Sequence, residues 1–97
     1  ETAPPAGVTF TADALVTVRE LKQQEGLAIY LCGGGSLAGE LLPEIDRLIL
    51  KRNPVVLGDG VRLFGNAGAV VQNFDLVSCR RFESGVVMEE YARTIRQ

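Results

Sequence analysis

The chain has 97 residues, 46% of them hydrophobic and 23% charged. That balance belongs to one small folded domain and excludes an intrinsically disordered chain. A formal net charge of −2 argues against nucleic acid or an anionic membrane surface as the main partner, and no apolar run reaches the roughly 18 residues of a membrane-spanning helix.

Residues 1–7 are rich in Pro and Ala and read as a loose tail or linker stub ahead of a domain over 8–97. They have neither the positive nor the apolar segment of a secretory signal. Val8-Thr9-Phe10 is a short strand-like segment. Thr11 is a reasonable N-cap, and Ala14, Leu15, Val18 and Leu21 follow at helical spacing, predicting a helix over 12–25 that Gly26 ends. Leu27-Ala28-Ile29-Tyr30-Leu31-Cys32 is a nearly unbroken apolar run, as expected of a strand covered on both faces in a parallel sheet. It stops at Gly33-Gly34-Gly35, and a short helix follows over 36–42, with Pro43 at its end. Residues 46–52 read as a buried strand leading through Asn53-Pro54 into Val55-Val56-Leu57. Gly58-Asp59-Gly60 and Gly65-Asn66-Ala67-Gly68 are turns, with Val61, Leu63 and Phe64 between them expected on the core. Period-two alternation then puts Phe74, Leu76 and Ser78 on one strand face, and Glu83-Ser84-Gly85 is a hairpin turn before a return strand over 86–93. The fold class is therefore α/β: βαβαβ plus a C-terminal β-hairpin, with right-handed crossovers.

Cysteine and histidine usage narrows the chemistry. Cys32 and Cys79 are expected to be buried, reduced thiols of a cytoplasmic protein, because two thiols without regular spacing make no disulfide framework. With no histidine in the chain, Ser-His-Asp and Cys-His nucleophiles are excluded, and a zinc or iron site is disfavoured.

The informative stretch is Leu31-Cys32-Gly33-Gly34-Gly35-Ser36-Leu37-Ala38-Gly39. Where a strand gives way through glycines to a helix, the free N–H groups of the first turn and about half a positive charge of helix dipole face outward. Glycines let a ligand approach that backbone, which makes a cradle for phosphate or diphosphate, with the Ser36 hydroxyl as an extra donor. The competing reading is that the glycines serve only a sharp turn and tight packing. Gly33, Gly35 and Ala38 formally fit G-x-G-x-x-G/A, but the helix before Pro43 is too short for a dinucleotide-binding Rossmann unit, and Asp59 in its glycine turn is a chance match to the ribose-binding acid. Arg80-Arg81 beside Phe82, Glu89-Glu90, and Glu40 with Glu44 at i, i+4 spacing read as solvated surface.

This glycine segment, followed by Leu41-Leu42-Pro43-Glu44-Ile45-Asp46-Arg47-Leu48, Asn53-Pro54-Val55-Val56-Leu57-Gly58-Asp59-Gly60, Leu63-Phe64-Gly65 and Arg81-Phe82-Glu83-Ser84-Gly85-Val86-Val87, resembles the dihydrofolate reductase superfamily. The closest branch is the one related to the reductase domain of the bifunctional riboflavin-biosynthesis deaminase/reductase. The resemblance covers residues 8–93 and implies an NADPH-dependent reductase of a pterin-like or pyrimidine-like substrate. It implies a Gly33-Gly34 peptide that is often cis. Gly34, Gly35, Ser36 and Leu37 would lie against the cofactor diphosphate and ribose, the Cys32 carbonyl against the nicotinamide, and Lys51 near the substrate. Members of the superfamily are about twice as long, so this chain corresponds to the C-terminal half of such a mixed sheet with flanking helices. By itself it is expected to be inactive. The missing strands then come from an N-terminal half or from another copy in a homo-oligomer, since open apolar edges favour association. Two further readings remain: a non-catalytic nucleotide-binding or dimerisation module of the same fold, and an unrelated α/β domain for a phosphorylated small molecule.

Overall fold

In a computed structural model, residues 6–65, 67–68 and 71–95 are described. Most of the tail expected over 1–7, and Asn66 of the second glycine turn, lie outside them. Helix α1 spans Ala14–Lys22. Its cap is Asp13, two residues later than the expected Thr11: the Asp13 carboxylate accepts from the Val16 N–H at 3.2 Å. Thr11 instead supports the cap, its Oγ1 accepting from the Asp13 N–H. The helix ends at Lys22, where the Gln23 and Gln24 N–H groups turn back to Glu20 and Leu21. Gly26 lies beyond it.

After a cis Gly33-Gly34 peptide, helix α2 runs Gly35–Leu41 and tightens into a 3₁₀ turn, Leu42–Glu44, with Pro43 in its first positions. Pro43 fits there because the first turn of a helix needs no N–H bond from it. Ala38 and Leu41 of α2 are the buried apolar side chains among the described residues.

Three strands follow: β1 (Arg47–Arg52), β2 (Phe74–Arg81) and β3 (Val87–Arg93). They form one antiparallel sheet in the order β1-β3-β2. The hairpin joining β2 to β3 is the expected one: the Phe82 N–H donates to the Val86 carbonyl and the Gly85 N–H to the Phe82 carbonyl, with Gly85 at φ 92°, a conformation glycine adopts without steric cost. The mixture of helices and sheet stands as α/β, but the expected parallel ladder is not formed among the described residues. Residues 8–10, 27–32 and 55–57 are in no strand, and Leu27 and Val56 are 97% and 96% exposed. A strand exists only with a hydrogen-bonded neighbour, and no described segment lies alongside these.

A bulge also corrects the expected alternation. Leu76 pairs with Tyr91 and Ser78 with Glu90, so Val77 is the extra residue. Phe74 and Leu76 share the Tyr91 face as expected, but Ser78 is carried to the opposite, Glu90 face. Cys79, expected in the core, is exposed, as is Cys32. β1 alternates between exposed and half-buried rather than being buried, because among the described residues no helix packs on the sheet: α1, α2 and the 3₁₀ turn pack on one another. Of Val61, Leu63 and Phe64, only Phe64 is half-buried.

Arg93 of β3 ties the sheet to the helical layer. Its guanidinium donates to the Ile45 carbonyl at 2.8 Å, to the Leu42 carbonyl at 2.6 Å, and to Gln72 Oε1, while lying over the Phe74 ring.

Candidate functional site: the glycine corner

The chain enters the corner through exposed Cys32 and Gly33, and Gly34 caps α2. The first bond of the helix is from the Ala38 N–H to the Gly34 carbonyl at 3.0 Å. The N–H groups of Gly35, Ser36 and Leu37 therefore have no acceptor among the described residues, and no side chain caps them. The Ser36 side chain is exposed beside them. These are outward-pointing donors of the kind that suits an anion.

The three glycines divide into two roles. At Gly33 and Gly34 an added Cβ would meet nothing within 4 Å, so this side of the corner is open. At Gly35 it would lie 2.1 Å from the Arg62 carbonyl oxygen, and at Gly39, one turn on, 2.2 Å from that of Phe64. The small face of α2 thus receives the backbone of the 61–65 loop. Tight packing, weighed above against ligand approach, explains Gly35 and Gly39; approach remains for Gly33 and Gly34. The helical i, i+4 spacing of Gly35 and Gly39 was the signal for this seat in the sequence.

The other sequence candidates lie apart. Lys51 is exposed on β1, opposite Met88, and its strand does not touch α2, so these residues alone do not bring Lys51 to the corner. The Asp59 carboxylate accepts from the adjacent Gly60 N–H, a turn contact. A shallow groove of about 370 Å³ runs over the sheet between Ile49, Ser78, Arg80, Phe82 and Met88. It is far more open than the enclosed, few-sided clefts that bind small molecules, and it shares no residue with the corner.

Glu44, at the end of the 3₁₀ turn, is a structural ion-pair centre. Lys22 and Arg19 of α1 each approach its carboxylate to 3.2 Å, and Lys22 also reaches Asp46 at 3.2 Å. Hydrogen bonds from Lys22 and then Arg19 hold the Glu44 carboxyl below its usual range. Burial alone would lower the Lys22 ammonium, but its bonds to Asp46 and Glu44 outweigh that and raise it. A carboxylate depressed in the folded state contributes stability above its unfolded pKa and loses it as pH falls through the folded value. Unfolding midpoints should therefore decline as pH falls through the carboxylate range, and Glu44→Gln should flatten that decline while changing neutral stability little. Denaturant unfolding at stepped pH checks both.

Comparison with known proteins fits this geometry. The family model of the RibD C-terminal domain matches residues 2–88. Among curated proteins, "Uncharacterized protein YyaP" of Bacillus subtilis (strain 168) is 39% identical over 79 residues, covering 79% of this chain and 42% of that protein. "Uncharacterized protein YwjB" of the same organism is 40% identical over 60 residues, 59% of this chain and 34% of that protein. The chain spans less than half the length of these relatives. Its helices and antiparallel strands accord with an α/β, dihydrofolate-reductase-like fold, and no helix among the described residues is long and apolar enough to cross a membrane. With the match running through the glycine corner, β1, β2 and the hairpin turn, the chain belongs to the RibD C-terminal domain family.

Proposed function

We propose that this chain is the cofactor-side part of an NADPH-dependent reductase acting on a pterin-like or pyrimidine-like molecule. The observation that carries this reading is the row of unpaired amides at Gly35, Ser36 and Leu37 behind the open side of Gly33 and Gly34, in a chain of the RibD C-terminal domain family, which suggests a dihydrofolate-reductase-like reductase domain. A diphosphate fits that space: the amides and the Ser36 hydroxyl donate to it, Gly33 and Gly34 leave it room, and Gly35 keeps α2 locked to the 61–65 loop. The Cys32 carbonyl, ahead of the glycines, orients the nicotinamide end. Bound NADPH supplies the hydride, and this chain contributes position and electrostatics.

Substrate contacts fall to strands supplied by the rest of the polypeptide or by another copy. The unpaired apolar run of Leu27–Cys32 is where they add, since its backbone groups have no partner among the described residues and its side chains are exposed. A reducing, cytoplasmic setting suits the free thiols of Cys32 and Cys79. A second reading, a non-catalytic nucleotide-binding or dimerisation module, draws on the lack of any carboxylate in the corner segment 32–39. NADPH oxidation assays with dihydropterin and pyrimidine substrates separate the two.

Calorimetric titration of the polypeptide carrying this chain should show NADPH bound more tightly than NADH. Gly34→Val puts a branched side chain into the open space, where nothing lies within 4 Å. It should weaken NADPH binding about 100-fold or more and leave the unfolding midpoint nearly unchanged. Undiminished binding by this variant removes the corner from the cofactor site.

A further inference from the structure

We propose that β2 is a homodimer edge, on which a second copy of this chain pairs antiparallel across a two-fold axis between Val77 and Ser78. Among the described residues the sheet has two free edges, β1 and β2. β1 carries Arg47, Lys51 and Arg52 and no carboxylate; Arg47 and Arg52 are already ion-paired with Glu90 and Glu89 of β3, so β1 holds no opposed charges to exchange with a second copy of itself. β2, with the sequence FDLVSCRR, is self-complementary. In the two-fold register Asp75 lies opposite Arg80 of the second copy, and Arg80 opposite its Asp75. Opposed charges directly across an antiparallel pair stabilise it, and the symmetry makes each contact twice.

Backbone phase, side-chain face and charge select the same register. The Thr94 N–H donates to the Asn73 carbonyl, and the Phe82 N–H to the Val86 carbonyl. Alternating inward from these two points leaves the main-chain groups of Phe74 and Leu76 free on one side of the bulge, and those of Cys79 and Arg81 on the other. The extra residue, Val77, shifts the phase by one, so outward groups meet in the pairs Phe74 with Arg81 and Leu76 with Cys79. All four residues lie on the Tyr91 face, whereas Asp75 and Arg80 share the opposite face, as residues paired across strands must. Neither Asp75 nor Arg80 takes part in an ion pair among the described residues. Asp75 accepts from the Thr94 hydroxyl through one oxygen, and Arg80 rests over the Phe82 ring. Leu76 and Val77, 56% and 51% exposed, lie at the centre of the join. This inference stands on β2 and does not depend on the cofactor reading.

Sedimentation equilibrium of the whole polypeptide carrying this chain tests it. The expected result is a dimer that Asp75→Arg alone, or Arg80→Asp alone, weakens by about tenfold or more in Kd. An equimolar mixture of the two single variants should recover the dimer, because one variant then presents two cations and the other two carboxylates. The doubly swapped variant, Asp75→Arg with Arg80→Asp, keeps the net charge and should dimerise like the parent. A parent that sediments as a monomer at about 100 μM, single variants that dimerise undiminished, or failure of both the mixture and the double swap to recover the dimer overturns the proposal. Pairing of β2 with a strand of a different protein shows itself as the first of these outcomes.

Discussion

Gly35→Ala should destabilise the protein by about 2 kcal/mol, although alanine is the better helix former by about 1 kcal/mol. The new methyl group would stand 2.1 Å from the Arg62 carbonyl oxygen and 3.2 Å from Val61 Cγ1. The closer neighbour is main chain, so no rotamer change relieves the overlap, and either α2 or the 61–65 loop must move. Overpacking of this kind costs roughly 1–3 kcal/mol. Gly39→Ala meets the Phe64 carbonyl at 2.2 Å and should behave alike. Gly26→Ala, with nothing within 4 Å, is the control and should stay within about 0.5 kcal/mol of the parent. Denaturant midpoints give the energies, and faster amide exchange over 61–65 would show the loop leaving its seat. A neutral Gly35→Ala would mean that α2 and the loop are not in contact.

Arg93→Ala should cost about 3 kcal/mol, more than any other exposed or half-buried charge. One guanidinium satisfies the carbonyls of Leu42 and Ile45 as well as Gln72 Oε1, and hydrogen bonds to a charged group are each worth more than neutral ones. Its removal also empties the space over the Phe74 ring. Arg93→Lys keeps the charge but loses the planar fork, and should recover less than half of the loss. Equilibrium unfolding in urea measures both, and equal stability of the parent and Arg93→Ala would show that the join between the layers does not depend on this side chain.

Local features of this fold were legible in the sequence. Both helices, the strand at 47–52, the hairpin at 83–85 and its return strand follow from spacing and turn chemistry within short windows. The glycine corner was legible as well, down to the cis Gly33-Gly34 peptide that the resemblance implied. Features that depend on distant partners were not. Residues 27–32 have a strand's composition, yet composition supplies no neighbour. Val77 looks like any alternating residue, and only its pairing with β3 makes it a bulge. Arg93 was unreadable for the same reason, because the carbonyls it binds lie 48 and 51 residues earlier and belong to main chain that carries no residue-specific mark. Cys79 was misplaced because an apolar strand segment at a sheet edge resembles one in a core.

Placing β3 between β1 and β2 imposes an order on biosynthesis. The two outer strands leave the ribosome first, yet neither can complete its ladder until the middle one emerges behind them. Through that interval β1 and β2 keep unpaired backbone edges, and this sheet closes late in the life of the growing chain.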